Sequence, residues 1–487
     1  KYEMIETTGS NFAANGNTTL GINGLHKATV QKVNMDNNQR SNIGYLGRAS
    51  YSYDDRYFFT GSYRRDGASV FGVNQKWGDF FAFGGAWRLS SEKFMSSISY
   101  LDDLKLKVSW GKNGNQGLDP YGTLSTINKG ASGGVRYEFG GSDIIYGLNQ
   151  KALGNANLGW ETTESWNTGF ESAWLGSRLF VDLDLYFSKT TDQIFTRDIP
   201  VMTGFKNMKS SMGQVNNRGV ELTIRSVNIN TQDWYWTTNL TFWLNRNKLV
   251  HLYGEDLNGD GKEDDDISNS RFIGKPLGAI YGYQQDGIVQ ETDIEYMKAN
   301  GATPGIPKYK DMDNDGVITS ADRVILGYST PNFKLNMSNT ITYKNWDLYF
   351  MLTGTFGGGG YYQKSNKGAY LTNGSGRFNT NGIYIPWWTP ENKSNEYPAA
   401  TFNDDGGRFL GLQNRAFVRL QDVTLSYTFR EPWVQKVNIQ NLKVFFTAKN
   451  LFTITKWQGG DPEVGVTVSE NTYPVLTSFS LGANISF

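Results

Sequence analysis

Apolar and polar residues alternate along this chain in segments of about ten residues, and turn-forming residues separate the segments. About fourteen such segments can be read. The clearest one has apolar residues at Leu179, Val181, Leu183, Leu185 and Phe187, with Asp182, Asp184, Tyr186 and Ser188 between them. Successive side chains of a strand point to opposite faces, so the pattern predicts two-faced strands. A β-sandwich in water alternates in the same way as a β-barrel in a membrane, so the pattern alone leaves both architectures open.

The lengths of the connections favour a barrel in a membrane. Short links at 54–55, 175–177 and 344–345 alternate with long ones at 114–157, 247–330, 357–413 and 454–474. Transmembrane barrels have short periplasmic turns and long extracellular loops, whereas a sandwich has no reason to sort its connections in this way. We therefore predict an all-β fold, an antiparallel transmembrane β-barrel with long extracellular loops.

Composition agrees with this architecture. No stretch approaches the roughly 18 consecutive apolar residues that a spanning helix requires. Strands of a membrane barrel face lipid at every second residue, so a hydrophobic content of 38% is compatible with membrane insertion. Lys+Arg and Asp+Glu both total 47, and the net charge of +0 gives no global field that would favour nucleic acid as a partner.

The last segment is an amphipathic strand that ends on an aromatic residue. Its apolar positions are Phe479, Leu481, Ala483, Ile485 and Phe487. Such a strand resembles the signal read by the outer-membrane assembly machinery, although soluble β-proteins also end on amphipathic strands. Aromatic residues beside the predicted turns, such as Tyr57 and Trp346, would suit an interfacial girdle in contact with outer-membrane lipid.

A series of longer stretches carries a family resemblance. They are GRASYSYDDRYFFTGSYRRDGASVFG from Gly47, LKLKVSWGKNGNQ from Leu104, NANLGWETTESWNTGFE from Asn155, VNNRGVELTI from Val215, GKPLGAIYGYQQDGIVQ from Gly274, VRLQDVTLSYTF from Val418 and AKNLFTITKWQGGDPEV from Ala448. In this order they resemble the SusC/RagA type of TonB-dependent outer-membrane transporter. Such proteins are plugged barrels of about 22 strands. The resemblance implies that residues 1–487 are the C-terminal part of the barrel, and that an N-terminal plug and TonB segment are not in this chain.

The resemblance also implies a function. It is TonB-dependent active import of a large nutrient across the outer membrane of a Gram-negative bacterium, with an oligosaccharide (glycan uptake) as the expected cargo and a peptide next. A SusD-like surface lipoprotein would form the lid, and TonB–ExbB–ExbD would supply the energy. Two other classes stay open, namely a non-transporting scaffold subunit of a larger outer-membrane complex and a secreted calcium-stabilised β-protein.

Enzymatic function finds little support in the sequence. The two histidines, His26 and His251, have no zinc-type spacing, and there is no cysteine. Asp182 and Asp184 share one strand face and could be imagined as an acid pair for glycoside cleavage. A wet barrel lumen explains these carboxylates more simply, so we predict that the chain is not an enzyme.

The sharpest local motif is DMDNDGVITSAD, which matches a calcium-loop pattern. The predicted ligands are the carboxylates of Asp311, Asp313 and Asp315, the carbonyl of Val317, Thr319 directly or through water, and the closing carboxylate of Asp322. Calcium suits such crowding, since it takes about six to eight oxygen ligands. Prolines on both sides argue against a complete EF-hand, and a solvated acidic turn is the alternative interpretation.

A second acidic run, DLNGDGKEDDD from Asp256, has similar spacing but places Ile267 where the closing carboxylate should fall. Both runs lie in the loop predicted at 247–330. A loop of this length without secondary structure has much conformational freedom, so the expected role of bound calcium is to make it rigid. Trp387 and Trp388 could stack on sugar rings or pack one outer loop against another.

Overall fold

The computed structural model describes residues 2–15, 29–129, 136–138, 144–146, 148–205, 207–361, 386–402, 411–430, 432–436, 439–458, 461–463 and 475–487. Fourteen strands form one antiparallel sheet in which each strand is followed by the next in chain order. They are β1 (Tyr2–Asn15), β2 (Thr29–Tyr53), β3 (Tyr57–Ala68), β4 (Trp77–Arg88), β5 (Leu101–Asn115), β6 (Glu161–Trp174), β7 (Leu179–Asp198), β8 (Asn207–Asn230), β9 (Trp234–His251), β10 (Phe333–Tyr343), β11 (Trp346–Phe356), β12 (Phe417–Phe429), β13 (Asn441–Thr455) and β14 (Ser478–Ser486). The predicted all-β antiparallel fold is confirmed.

The sheet has an apolar face and a polar face, and the register keeps them separate from strand to strand. On β7, Leu183 lies opposite Phe170 of β6 and Leu222 of β8. Its neighbour Asp184 lies on the other face, opposite Glu221 of β8. A slip of one residue would exchange the two faces, so the alternation in the sequence specifies the register.

The two ends of the sheet differ in their connections. At one end, here called the turn end, β10 and β11 are joined by Lys344 and Asn345 alone. The opposite end, the loop end, has the predicted long connections, such as the segment 252–332 between β9 and β10. The sorting is not strict for connections of medium length, since 89–100 lies at the turn end and 69–76 at the loop end. A second turn-end connection of this kind contains the short helix Pro432–Lys436.

Pairs of aromatic rings line the turn end on the apolar face. The pairs are Tyr57 with Trp87, Tyr100 with Trp174, Trp234 with Tyr343, and Trp346 with Tyr427. Rings of this kind tolerate the headgroup depth of a bilayer while their polar atoms stay hydrated. The band agrees with the interfacial girdle expected from the sequence.

The long segment 252–332 has its own secondary structure, which the sequence did not reveal. Strand Ala279–Tyr283 pairs with Arg323–Tyr328, and the ladder of Gln285–Ile288 with Pro307–Tyr309 lies inside that pair in the chain. A short helix, Ile294–Asn300, connects the strands of the inner ladder. The expectation of a long loop without secondary structure was therefore wrong.

The other outer loops contain smaller two-stranded antiparallel ladders. They join Thr126–Lys129 to Leu148–Ala152, Arg136–Glu138 to Ile144–Tyr146, and Gly359–Tyr361 to Leu412–Asn414. A core of buried apolar side chains, Phe195, Val215, Leu249 and Leu252, fixes the start of the segment 252–332 to the loop end of the sheet. Within the part of the chain that the structure describes, no helix has the length and apolar character needed to cross a membrane.

Candidate functional site

The predicted calcium loop lies at the loop end, between strands Pro307–Tyr309 and Arg323–Tyr328. Its backbone takes up the left-handed conformation at Asn314, with φ 63°, and at Gly316, with φ 87°. The glycine tolerates this conformation without a steric penalty, as the tight turn of the motif requires. The chain is thereby folded back on itself, and the acidic side chains before the turn face the same point.

Three of the predicted ligands come together. One carboxylate oxygen from each of Asp311, Asp313 and Asp315 lies within 4.8 Å of the others. The two oxygens of Asp311 also accept hydrogen bonds from the backbone N–H groups of Asn314 (2.6 Å) and Gly316 (2.7 Å). Partial desolvation raises the pKa of Asp313, and the negative charges of Asp315 and Asp322 add to the rise. A cation at this point would relieve that repulsion.

The other predicted ligands have different partners. Asp322 is completely buried, and its two oxygens accept hydrogen bonds from the N–H groups of Thr319 (2.7 Å) and Met312 (2.7 Å). These bonds hold the pKa of Asp322 below its usual range. The Thr319 hydroxyl accepts from the N–H of Ala321 at 3.2 Å and caps the turn that follows. Asp322 and Thr319 thus close the loop through the backbone, and the Val317 carbonyl stays a predicted ligand.

The second acidic run folds in the same way at its start. The two oxygens of Asp256 accept from the N–H groups of Gly259 (2.8 Å) and Gly261 (2.9 Å), and Gly261 has φ 81°. Asp264 accepts from the N–H of Leu257 at 2.6 Å, which matches the bond of Asp322 to Met312. The missing carboxylate at Ile267 is therefore replaced, in its backbone role, by an acid three residues earlier.

Contacts with the sheet and the short helix fix both acidic loops. Arg197 of β7 forms an ion pair with Glu255, just before the second loop. Glu263 accepts from the N–H groups of Leu252 and Gly254, and its pKa is lowered because these bonds outweigh its partial burial. At the first loop, the side-chain oxygen of Asn300 accepts a hydrogen bond from the N–H of Ile318 at 2.7 Å.

On the polar face of the sheet, charged side chains form ion pairs across the strands. Near the turn end, Lys107 of β5 contacts Asp184 of β7 at 2.8 Å and Glu171 of β6 at 3.4 Å. Asp182 faces Arg225 at 3.8 Å. Asp182 and Asp184 thus have separate cationic partners, and both lie on the polar face, where the lumen interpretation placed them.

A cavity of about 910 Å³ opens on the polar face at the loop end of β2 to β5. Its lining includes Arg64 and Asp66, which are paired at 2.6 Å, and the amides of Asn113 and Asn115. The indole of Trp160 forms part of the same lining. The side chains combine planar hydrogen-bonding groups with an aromatic surface. These residues form no recognisable motif in the sequence, although their positions on the polar face follow from the alternation.

Two more side chains fix the outer loops to the sheet and to each other. The guanidinium group of Arg419, only 4% exposed, contacts Asp461 and Glu463 at 2.9 Å each, which fixes the segment 461–463 over β12. The buried indole of Trp388 donates to Gln290 at 2.9 Å. Trp388 therefore packs one outer loop against another, the second of the two roles considered for it.

Residues 3–451 match the family model of the TonB dependent receptor-like β-barrel. The chain is 30% identical over 478 residues to the TonB-dependent receptor SusC of Bacteroides thetaiotaomicron, covering 95% of this chain and 45% of that protein. It is 29% identical over 469 residues to the TonB-dependent receptor P3 of Formosa agariphila, covering 92% and 46%. The chain spans about half the length of the curated relatives it matches.

Solved structures show the same fold. The RagAB peptide importer in its open-open state superposes with a TM-score of 0.80 at 22% identity, over 100% of this chain and 52% of that one. The closed-closed state gives a TM-score of 0.79 at 23% identity, over 100% and 53%.

Proposed function

Because the chain belongs to the TonB-dependent receptor-like β-barrel family, whose members lie in the outer membrane of Gram-negative bacteria, we propose that it forms part of the wall of a nutrient importer. In this membrane the apolar face contacts lipid, the turn end is periplasmic and the loop end is extracellular. The polar face then lines the lumen. Location in the outer membrane also excludes the alternative of a secreted calcium-stabilised β-protein.

The observation that carries the proposal is the extracellular cavity of the polar face. A solute that enters the lumen meets Arg64, Asp66 and two asparagine amides beside the indole of Trp160. Planar polar groups can each make two hydrogen bonds to neighbouring hydroxyls, and an aromatic ring packs on the apolar face of a sugar. We take an oligosaccharide as the first cargo class. A peptide is the second, because a protein of the same fold is a peptide importer.

The proposed machinery extends beyond this chain. The plug and the TonB-contacting segment are expected in the part of the relatives that the chain does not match. Energy would come from TonB–ExbB–ExbD, and a SusD-like lipoprotein would cover the extracellular loops. The paired charges lower on the wall, such as Lys107 with Asp184, keep the lumen polar without a strong field of either sign.

Uptake of labelled oligosaccharide by cells that depend on this protein tests the proposal. Removing both amides in Asn113→Ala/Asn115→Ala is expected to lower uptake about tenfold at subsaturating cargo, because two hydrogen bonds are lost. The matched control is Gln214→Ala/Asn216→Ala, where the two side chains contact each other at 3.0 Å near the loop end of β8. Deletion of TonB should abolish uptake. Growth that is unchanged without TonB would instead favour the scaffold function.

We also propose that the loop of Asp311, Asp313 and Asp315 binds calcium as a structural ion of the extracellular segment. Three convergent carboxylates and the raised pKa of Asp313 support it. Since the segment has its own ladders and helix, the ion would fix only the acidic turn.

A further inference from the structure

Basic side chains form a belt on the lipid-facing surface of β5 to β9, near the extracellular end. They are Lys112, Lys189, Arg218, Arg246 and Lys248; Lys112 is partly exposed and the other four are exposed. Cross-strand pairing sets them in two rows of the register, with Lys189 opposite Asn216, and Arg218 opposite both Phe187 and Arg246. In these rows Glu164 is the single acidic residue of the described strands.

The belt lies just beyond an aromatic band. Lys112 follows Trp110 by two residues on the same face of β5, and Lys189 follows Phe187 in the same way on β7. Trp166, between them on β6, is 52% exposed. Exposed aromatic rings on the lipid-facing surface mark the membrane interface, so the basic belt lies at the depth of the lipid headgroups.

An apolar groove of about 660 Å³ lies across β2 to β5, on the turn-end side of Lys112. Ala49, Gly61 and Gly85 form its floor, and the rings of Phe59, Phe83 and Trp110 surround it. Packing does not require glycine here, since a Cβ at Gly61 would lie 3.6 Å from Phe83 and one at Gly85 would lie 3.9 Å from the Phe58 carbonyl. The glycines leave a furrow in a surface that is otherwise covered with large side chains.

We propose that this surface binds a phosphorylated lipid of the outer leaflet. The phosphate contacts Lys112 and Lys189, and an acyl chain lies in the groove below Trp110. Five cations against one acid complement an anionic headgroup, while the chain as a whole has net charge +0. The Lys112 Nζ and Glu164 Oε2 atoms are 4.0 Å apart, which is too far for a hydrogen bond. The ammonium group can therefore still donate to a phosphate oxygen. The proposal does not depend on which cargo is imported.

Native mass spectrometry of the intact protein in detergent, titrated with phosphatidylglycerol or phosphatidylcholine, tests the basic belt. The variant Lys112→Gln/Lys189→Gln/Arg218→Gln should bind phosphatidylglycerol about tenfold or more weakly and lose its preference for that lipid. The matched control is Lys262→Gln/Lys298→Gln/Lys310→Gln, which removes the same charge from exposed positions of the extracellular segment. Equal phosphatidylglycerol binding by the two triple variants would overturn the proposal.

The groove is tested with side chains that fill it. Gly61→Leu/Gly85→Leu should weaken the binding of both lipids to a similar extent, because the new side chains fill the space that the acyl chain would occupy. Gly47→Leu is the control, since Gly47 shares the lipid-facing surface of β2, lies outside the groove and has no atom within 4 Å of its Cβ position. If filling the groove changes the oligomeric state and leaves lipid binding intact, the groove holds a second copy of the chain and the proposed occupant is wrong.

Discussion

Two aspartates of one twelve-residue motif have opposite electrostatic environments. Asp313 faces other carboxylates, and partial desolvation together with their charge raises its pKa. Asp322 faces two backbone N–H donors, which lower its pKa. A carboxylate with a raised pKa gains from a cation, whereas one that is already bonded to the backbone has little to gain. The motif therefore contains two kinds of residue, those that would bind the ion and those that hold the backbone of the loop in place.

Calcium binding by the loop should depend on Asp313. We expect Asp313→Asn to weaken binding about tenfold or more, because a charged ligand is lost where carboxylates converge. Isothermal titration of the purified protein with calcium measures this. Asp286→Asn, an exposed acid of the same extracellular segment outside the motif, is the control. Unchanged affinity in Asp313→Asn would make the loop a solvated acidic turn.

Asp322→Asn should loosen the loop with or without calcium. The amide nitrogen would face a backbone donor in place of a carboxylate oxygen, at a cost of about 1–3 kcal/mol. Hydrogen exchange at the N–H groups of Met312 and Thr319 should become faster, whereas Asp315→Asn should leave both unchanged.

The pH dependence of the same exchange has a definite sign. The pKa of Asp322 is below its usual value of 3.8, so its contribution to stability is fully present above that value and is lost as pH falls through the lowered pKa. Protection of Met312 that is independent of pH across this acidic range would contradict the role of the carboxylate.

At the scale of single elements, the sequence predicts the barrel strands far better than the loop strands. The fourteen strands of the sheet alternate over long segments, and tight turns such as the one at Lys344 separate them. The loop ladders are short, and the strands Ala279–Tyr283 and Arg323–Tyr328 pair across a long intervening segment. Local periodicity carries no information on such pairings, because they depend on packing between residues that are distant in the chain.

Close packing on the polar face gives an element-scale prediction at Gly219 of β8. A Cβ there would clash with the ring of Tyr186 on β7 and with the carbonyl of Leu244 on β9. Gly219→Ala should therefore destabilise the folded protein by about 1–3 kcal/mol. Unfolding in urea from detergent micelles measures the effect, and Gly47→Ala, where a Cβ meets nothing, should stay within about 0.5 kcal/mol of the parent.

At the scale of the whole molecule, a net charge of +0 conceals three separate charge distributions. The lumen has paired charges, the lipid-facing surface has a basic belt, and the extracellular segment has acidic loops. The sequence predicted the acidic loop directly, since its residues are neighbours in the chain, and it predicted lumenal carboxylates through the alternation of β7, but it did not predict the basic belt. Lys112 and Lys189 lie on strands that pair through β6, so their proximity depends on register across three strands. The same holds for Arg64 and Asn113, on either side of β4, in the lumenal cavity.

The order of the sheet determines how the isolated chain should behave. Among the described residues the order runs from β1 to β14, and those two strands do not pair with each other. In a bilayer every backbone polar group needs a partner, and closure of the barrel is what supplies it for edge strands. Residues 1–487 refolded alone should therefore aggregate or associate through the edges β1 and β14, and should give no heat-modifiable monomer band in gel electrophoresis. The intact protein, extracted from outer membranes with detergent, should give such a band. A compact, protease-resistant monomer of residues 1–487 would show that these fourteen strands close on themselves.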